Sequence, residues 1–139
     1  ASLGLDEYAR GEYRPLLSWA RAPFHYAVQR RRGALEIACA AGEESGRLAK
    51  LIRFGADGGI TVRYAWDPGA APEDFFTTEL SLAGELSLDT EPAAEVWRHP
   101  IETVAKSERG LDRTRQGESR TLRWPARLGE ATLTVRVPG

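Results

Sequence analysis

The stretch HPIETVAKSERGLDRTRQG, residues 99–117, gathers His99, Glu102, Lys106, Ser107, Glu108, Arg109, Arg113 and Arg115 between two tryptophans, Trp97 and Trp124. Such side chains can donate and accept protons, hold a sugar hydroxyl, or knit a loop together. Upstream, Glu79 interrupts an alternating apolar run, FFTTELSL. A carboxylate there must face water or meet a cation, and Lys50 or Arg63 is its expected partner.

Sugar chemistry suits these residues best, because a pyranose offers an apolar face to an aromatic ring and hydroxyls to charged side chains. Trp19, Trp66 and Trp124 also suit a β core, where an indole N–H finds a nearby acceptor. Trp97 is the stacking candidate, because VWRHP reads as a strand end leading into a loop. Trp97, His99, Glu79 and Glu102 are therefore the expected carbohydrate contacts. Glycosyl hydrolysis requires two carboxyls across the scissile bond, and Glu79, Glu102 and Glu108 are available.

Other chemistries find little support. One cysteine and two separated histidines, His25 and His99, give none of the usual metal-ligand spacings, so no metal and no cofactor is expected. ADGG and RRRG are turn sequences rather than phosphate cradles. Arg30, Arg31 and Arg32 form the one basic cluster and read as a solvated hairpin tip, not a nucleic-acid surface. Nothing pairs Ser107 with a histidine base. The formal net charge of −1 advertises neither nucleic acid nor an anionic membrane. No run approaches the ~20 apolar residues of a membrane-spanning helix.

The elements that must position these groups are strands. FHYAVQR puts Phe24, Tyr26 and Val28 on one side, and ALEIACA does the same for Leu35, Ile37 and Cys39, with Arg31, Arg32 and Gly33 as the turn. LAKLIRF, ADGG and ITVRYAW make a second hairpin with Ile60, Val62, Tyr64 and Trp66 on its apolar face. DPGAAP, residues 67–72, breaks the chain before FFTTELSLAGELSLD, where Gly84 suggests a bend. SRTLRWP and ATLTVRV follow, joined by LGE, the latter offering Leu133, Val135 and Val137 to the core. Residues 1–21 read as an irregular lead-in with one short helical turn capped by Asp6. Seven or so short strands with Gly and Pro turns predict an all-β antiparallel sandwich in a single domain of 139 residues. Cys39 has no intrachain partner and is expected as a small core residue in a reducing, cytoplasmic setting.

FTTELSLAGELS followed by VWRHPIETVAKSERGLDRTRQGESRTLRWP resembles the carboxy-terminal β domain of glycoside hydrolase family 57, the α-amylase and 4-α-glucanotransferase family. The matching residues are Phe76, Glu79, Leu80, Leu82, Pro100, Ile101, Glu102, Thr103, Ser107, Glu108, Gly110, Gln116 and Gly117, with Lys50 at the matching lysine of RLAKLIRF. The resemblance runs over roughly residues 22–126. It implies a galactose-mutarotase-like sandwich, of which this chain is the carboxy-terminal portion, beside a catalytic barrel.

The family's catalytic carboxylates belong to that barrel, so no catalytic residue is expected here. The implied role is a non-catalytic domain that supports the barrel of an α-glucan hydrolase or transferase and touches glucan. Two alternatives stay open: a mutarotase-like enzyme using His99 with Glu79 or Glu102, and a stand-alone starch- or glycogen-binding module. A homodimer through exposed strand edges is a further partner. Residues 99–117 are expected as a long ordered loop. Pro100 would fix its start, Gly110 and Gly117 its turns, and Glu102, Lys106, Ser107 and Glu108 would satisfy one another, with Gln116 alongside.

Overall fold

A computed structural model of the chain describes residues 4–13, 19–42, 46–67 and 74–138. A short helix, α1 (Leu5–Ala9), precedes nine strands: β1 (His25–Arg31), β2 (Ala34–Ala41), β3 (Leu48–Phe54), β4 (Ile60–Trp66), β5 (Phe75–Leu82), β6 (Ser87–Glu91), β7 (Glu95–Ser107), β8 (Gly110–Pro125) and β9 (Glu130–Arg136). They form two antiparallel sheets, a large one ordered β1-β2-β3-β4-β9-β6 and a small one ordered β5-β8-β7. The sandwich expected from the period-two patterning is thus present.

Turn chemistry fixes the register. Arg32 and Gly33 both hold positive φ, 48° and 75°, as a two-residue hairpin turn with the twist of its strands requires. Between β3 and β4, Asp57 Oδ1 accepts the Gly59 N–H at 3.0 Å while Gly58 takes φ 82°. The helix starts differently from expectation. Gly4 is its N-cap and the Glu7 carboxylate accepts the Gly4 N–H at 2.8 Å, so Glu7 rather than Asp6 closes its first turn. The turn DPGAAP lies outside the described residues beyond Asp67. Gly84 sits in the connection between β5 and β6, which join different sheets.

Aromatic rings hold the sheets together. Trp66 stacks on Phe76 with centroids 4.2 Å apart, and Tyr64 and Trp124 pack around the same ring. Each buried indole finds an acceptor: Trp66 Nε1 donates to the Ala126 carbonyl at 2.7 Å, and Trp124 Nε1 to the Pro92 carbonyl at 2.9 Å. Leu48, Leu122, Ala131 and Leu133 complete the buried cluster. These residues come from β3, β4, β9, β5 and β8, so the small sheet covers only part of the large one.

Among the described residues, nothing covers the part of the inner face of β1–β3 that lies farthest from the small sheet. Cross-strand register places Tyr26 opposite Cys39 and Lys50, and Val28 opposite Ile37 and Ile52, on the face that continues into Tyr64 and Val62. Tyr26 is 73% exposed and Val28 53%. Cys39 is half-buried on this face rather than sealed in the core. Val137, expected inside, lies past the end of β9 and is exposed.

Residues 99–117 correct the loop expectation. They are the arms of a long hairpin, with β7 and β8 paired from Glu95–Arg123 out to Ser107–Gly110. Polar residues on both faces of the outer arm masked its strand pattern, since nothing packs there. A bulge falls between Ile101 and Glu102, where Gln116 is the extra residue of β8 and donates to Thr103 Oγ1 at 3.1 Å. Glu102 meets Arg113 across the strands at 3.4 Å, and Ser107 Oγ serves the turn by accepting the Arg109 N–H. Among the described residues, Lys106 and Glu108 form no ion pair.

Gly117 has a packing reason. A Cβ at this position would run into the Leu82 carbonyl oxygen of β5. Gly117→Ala must therefore push β5 and β8 apart and is expected to cost about 1–3 kcal/mol, read as a lowered midpoint in chemical denaturation.

Candidate functional site

The small sheet has two different faces because its central strand alternates strictly. In β8, Leu122 and Trp124 point into the core while Ser119, Thr121 and Arg123 point away from it, and all five are buried. Register sets three rows across the outward face: Thr77–Arg123–Glu95, Glu79–Thr121–Trp97 and Ser81–Ser119–His99. Three of the four expected carbohydrate contacts, Glu79, Trp97 and His99, share this face. Glu102 does not, because three positions after His99 it falls out of phase with Trp97 and His99 along β7, on the exposed arm.

Arg123 anchors one end of this face. Its guanidinium lies 4.0 Å from the ring centroids of both Phe75 and Trp97, and Nη1 donates to Glu95 Oε2 at 2.9 Å. Trp97 Nε1 donates to the other oxygen, Glu95 Oε1, at 2.8 Å. One carboxylate thus fixes both the cation and the indole, leaving Trp97 rigid and only 9% exposed.

Glu79 lies in the middle row. Its Oε1 accepts from Ser119 Oγ at 2.8 Å and its Oε2 from Tyr8 Oη at 2.7 Å. The expected partners are elsewhere: Lys50 stands over the Phe24 ring at 4.1 Å, and Arg63 faces outward from the large sheet. Glu79 points away from the core and the large sheet, so hydroxyls satisfy it instead. Tyr8 also meets the Trp97 ring edge-on at 5.6 Å and stacks on Tyr13 at 5.0 Å, bringing the α1 segment onto the sheet.

Of two buried polar atoms here, His99 Nδ1 has no hydrogen-bond partner among the described residues, and Thr121 Oγ1 lies against the Tyr8 phenol without a well-formed hydrogen bond. The face thus combines an aromatic wall, a carboxylate, hydroxyls and an imidazole nitrogen. It is equipped to bind hydroxyl groups. It is not assembled as a proton relay, since both Glu79 oxygens bond hydroxyls and neither bonds His99.

Sequence reasoning missed Tyr8, Glu95, Ser119, Thr121 and Arg123. For the three β8 residues the signal was present in the alternation of SRTLRWP, which separates Ser119, Thr121 and Arg123 from Leu122 and Trp124. Tyr8 is 71 positions from Glu79, and no local pattern reports that contact.

The opposite side of the molecule carries a shallow groove of about 950 Å³ on the outer face of the large sheet. Its floor includes Ala27, Ala38, Ala40, Ala49 and Ala65, with Arg47, Arg63, Glu91 and Glu130 around it. It holds none of the expected contact residues. No helix among the described residues is long and apolar enough to cross a membrane.

Residues 73–137, which contain the whole small sheet and β9, match the family model described as α-amylase/4-α-glucanotransferase, C-terminal. The second half of the chain thus matches the carboxy-terminal domain of that family. The chain is 25% identical to an α-amylase of Pyrococcus horikoshii over 87% of this chain and 22% of that protein. It is 26% identical to a 4-α-glucanotransferase of Thermococcus kodakarensis over 95% of this chain and 23% of that protein. The crystal structure of a 4-α-glucanotransferase from Thermococcus litoralis shares the fold, with a TM-score of 0.62 and 23% identity over 96% of this chain and 25% of that one. The chain therefore spans about a quarter of the length of the proteins it matches.

The Tyr8 phenol gives a pH test of the α1 contact. Burial, the hydrogen bond to Glu79 and the adjacent negative charge push its pKa up from the ordinary value of 10.0. The docked phenol stays neutral where a free one ionises, so the contact is fully present below pH 10 and weakens as pH rises beyond it. Hydrogen exchange at residues 5–10 is expected to accelerate above that pH. Tyr8→Phe, which loses about 1 kcal/mol of docking, should show fast exchange already at neutral pH and no such step.

Proposed function

We propose that this chain is the non-catalytic β domain of an α-glucan-acting hydrolase or glucanotransferase, supporting a catalytic barrel and contacting glucan through the outward face of the small sheet. The observation that carries this reading is the coincidence of the family match, residues 73–137, with the elements that build the Glu79–Trp97–His99 face. The parent reaction would be hydrolysis or transfer of α-1,4-linked glucose. A galactose-mutarotase-like arrangement of the larger sandwich fits the uncovered part of the large sheet, and the unpaired Cys39 fits a cytoplasmic setting.

Affinity electrophoresis in amylopectin gels tests the glucan contact. The chain should be retarded, and Trp97→Ala should lose most of the retardation because the wall of the site is gone. Circular dichroism must show that the variant remains folded. Unretarded migration of the wild-type chain, or equal retardation of a folded Trp97→Ala variant, would count against the reading.

The uncovered part of the inner face of β1–β3 is the support surface in this account, packed against the rest of the parent enzyme. In the isolated chain that face and the β1 edge favour pairing of two copies. Light scattering should show a concentration-dependent dimer that Val28→Glu returns to monomer. A dimer unaffected by Val28→Glu would show that a different surface is used.

A further inference from the structure

Tyr8 presents to the small sheet an apolar six-membered ring carrying a hydroxyl, with the ring edge on Trp97 at 5.6 Å and the hydroxyl on Glu79 at 2.7 Å. A pyranose would offer the same combination, with more hydroxyls. Around that hydroxyl the sheet supplies more than one ring hydroxyl can use. Ser119 Oγ holds the second Glu79 oxygen at 2.8 Å, the buried Thr121 Oγ1 lies against the Tyr8 phenol without a well-formed hydrogen bond, and the buried His99 Nδ1 has no partner among the described residues. Two unsatisfied buried polar atoms carry a cost that a ligand with several hydroxyls removes.

The segment bearing Tyr8 is lightly held. Helix α1 has five residues and buries none of them. Among the described residues, its side-chain hydrogen bonds to the sandwich come from Tyr8 alone. Tyr13 extends the stack from the solvent side and is 45% exposed.

Resting on the glucan reading above, we propose that Glu79, Ser119, Thr121, Trp97 and His99 form a pyranose subsite, and that Tyr8 occupies it in the unliganded chain as an internal competitor. A terminal or internal glucose unit displaces the phenol, takes over the Glu79 oxygen through one hydroxyl, and engages Thr121 and His99 through others. The α1 segment is released when sugar binds, so occupancy of the site is linked to the path of the chain ahead of the sandwich.

The test is calorimetric titration of maltohexaose into the wild-type chain, Tyr8→Phe, Tyr8→Ala and Tyr8→Ala/Glu79→Gln, with hydrogen exchange at residues 5–10 as a second readout. Removing the competitor should tighten binding about ten-fold in Tyr8→Ala and less in Tyr8→Phe, which keeps the ring. The added Glu79→Gln change should cancel the gain. In the wild type, maltohexaose should accelerate exchange in α1. Equal affinity for wild type and both Tyr8 variants would overturn the competitor while leaving glucan binding in place. Absence of binding in every variant would overturn both, and protection rather than release of α1 would show that sugar binds elsewhere or together with the strap.

Discussion

The structure depends on β8 being buried on both faces. From Thr121 to Trp124 the strand alternates, and Leu122 and Trp124 enter the sheet-to-sheet core, where both are fully buried. The intervening Ser119, Thr121 and Arg123 are buried on the other side, and burial obliges polar groups to find partners. Arg123 meets this demand through Glu95 and the two rings that sandwich it, and Ser119 meets it through Glu79. The same geometry that seals the core therefore lines up the polar face. Stability and binding capacity are two sides of one strand.

This coupling explains why the face is rigid without being a proton-transfer site. Trp97 is clamped by Arg123 beneath its ring plane and by Glu95 at its indole nitrogen, so it can serve as a wall at little ordering cost. Glu79 gathers hydroxyls rather than a base. A surface of this kind offers hydrogen-bond partners and an aromatic wall to a polyhydroxyl ring, and the proteins that the chain matches are more than four times its length.

Most of the sandwich was legible because period-two alternation survives wherever one face is dry. ITVRYAW and SRTLRWP declared their core residues directly, and Arg32–Gly33 and Asp57–Gly58 declared their turns. The outer arm of the β7–β8 hairpin was read as a loop because it is exposed on both sides, so no packing imprints a pattern on its sequence. Of the candidate site, Glu79, Trp97 and His99 were singled out by residue type, and Glu79 also by the family resemblance. Glu102 was misplaced because, with residues 99–117 read as a loop, its phase opposite to Trp97 and His99 along one continuous strand was not seen. Tyr8 was invisible, since its contact spans the chain, and the hydroxyl partners of Glu79 could not be told from a cation by composition.

The central claim is that the outward face of β5-β8-β7 is the sugar-contacting surface. Amide chemical-shift mapping with maltohexaose tests it most directly. The account predicts perturbations concentrated at residues 77–81, 95–99 and 119–123 together with α1. Perturbations confined to the alanine-floored groove of the large sheet, around Ala38, Ala49 and Arg63, would contradict it.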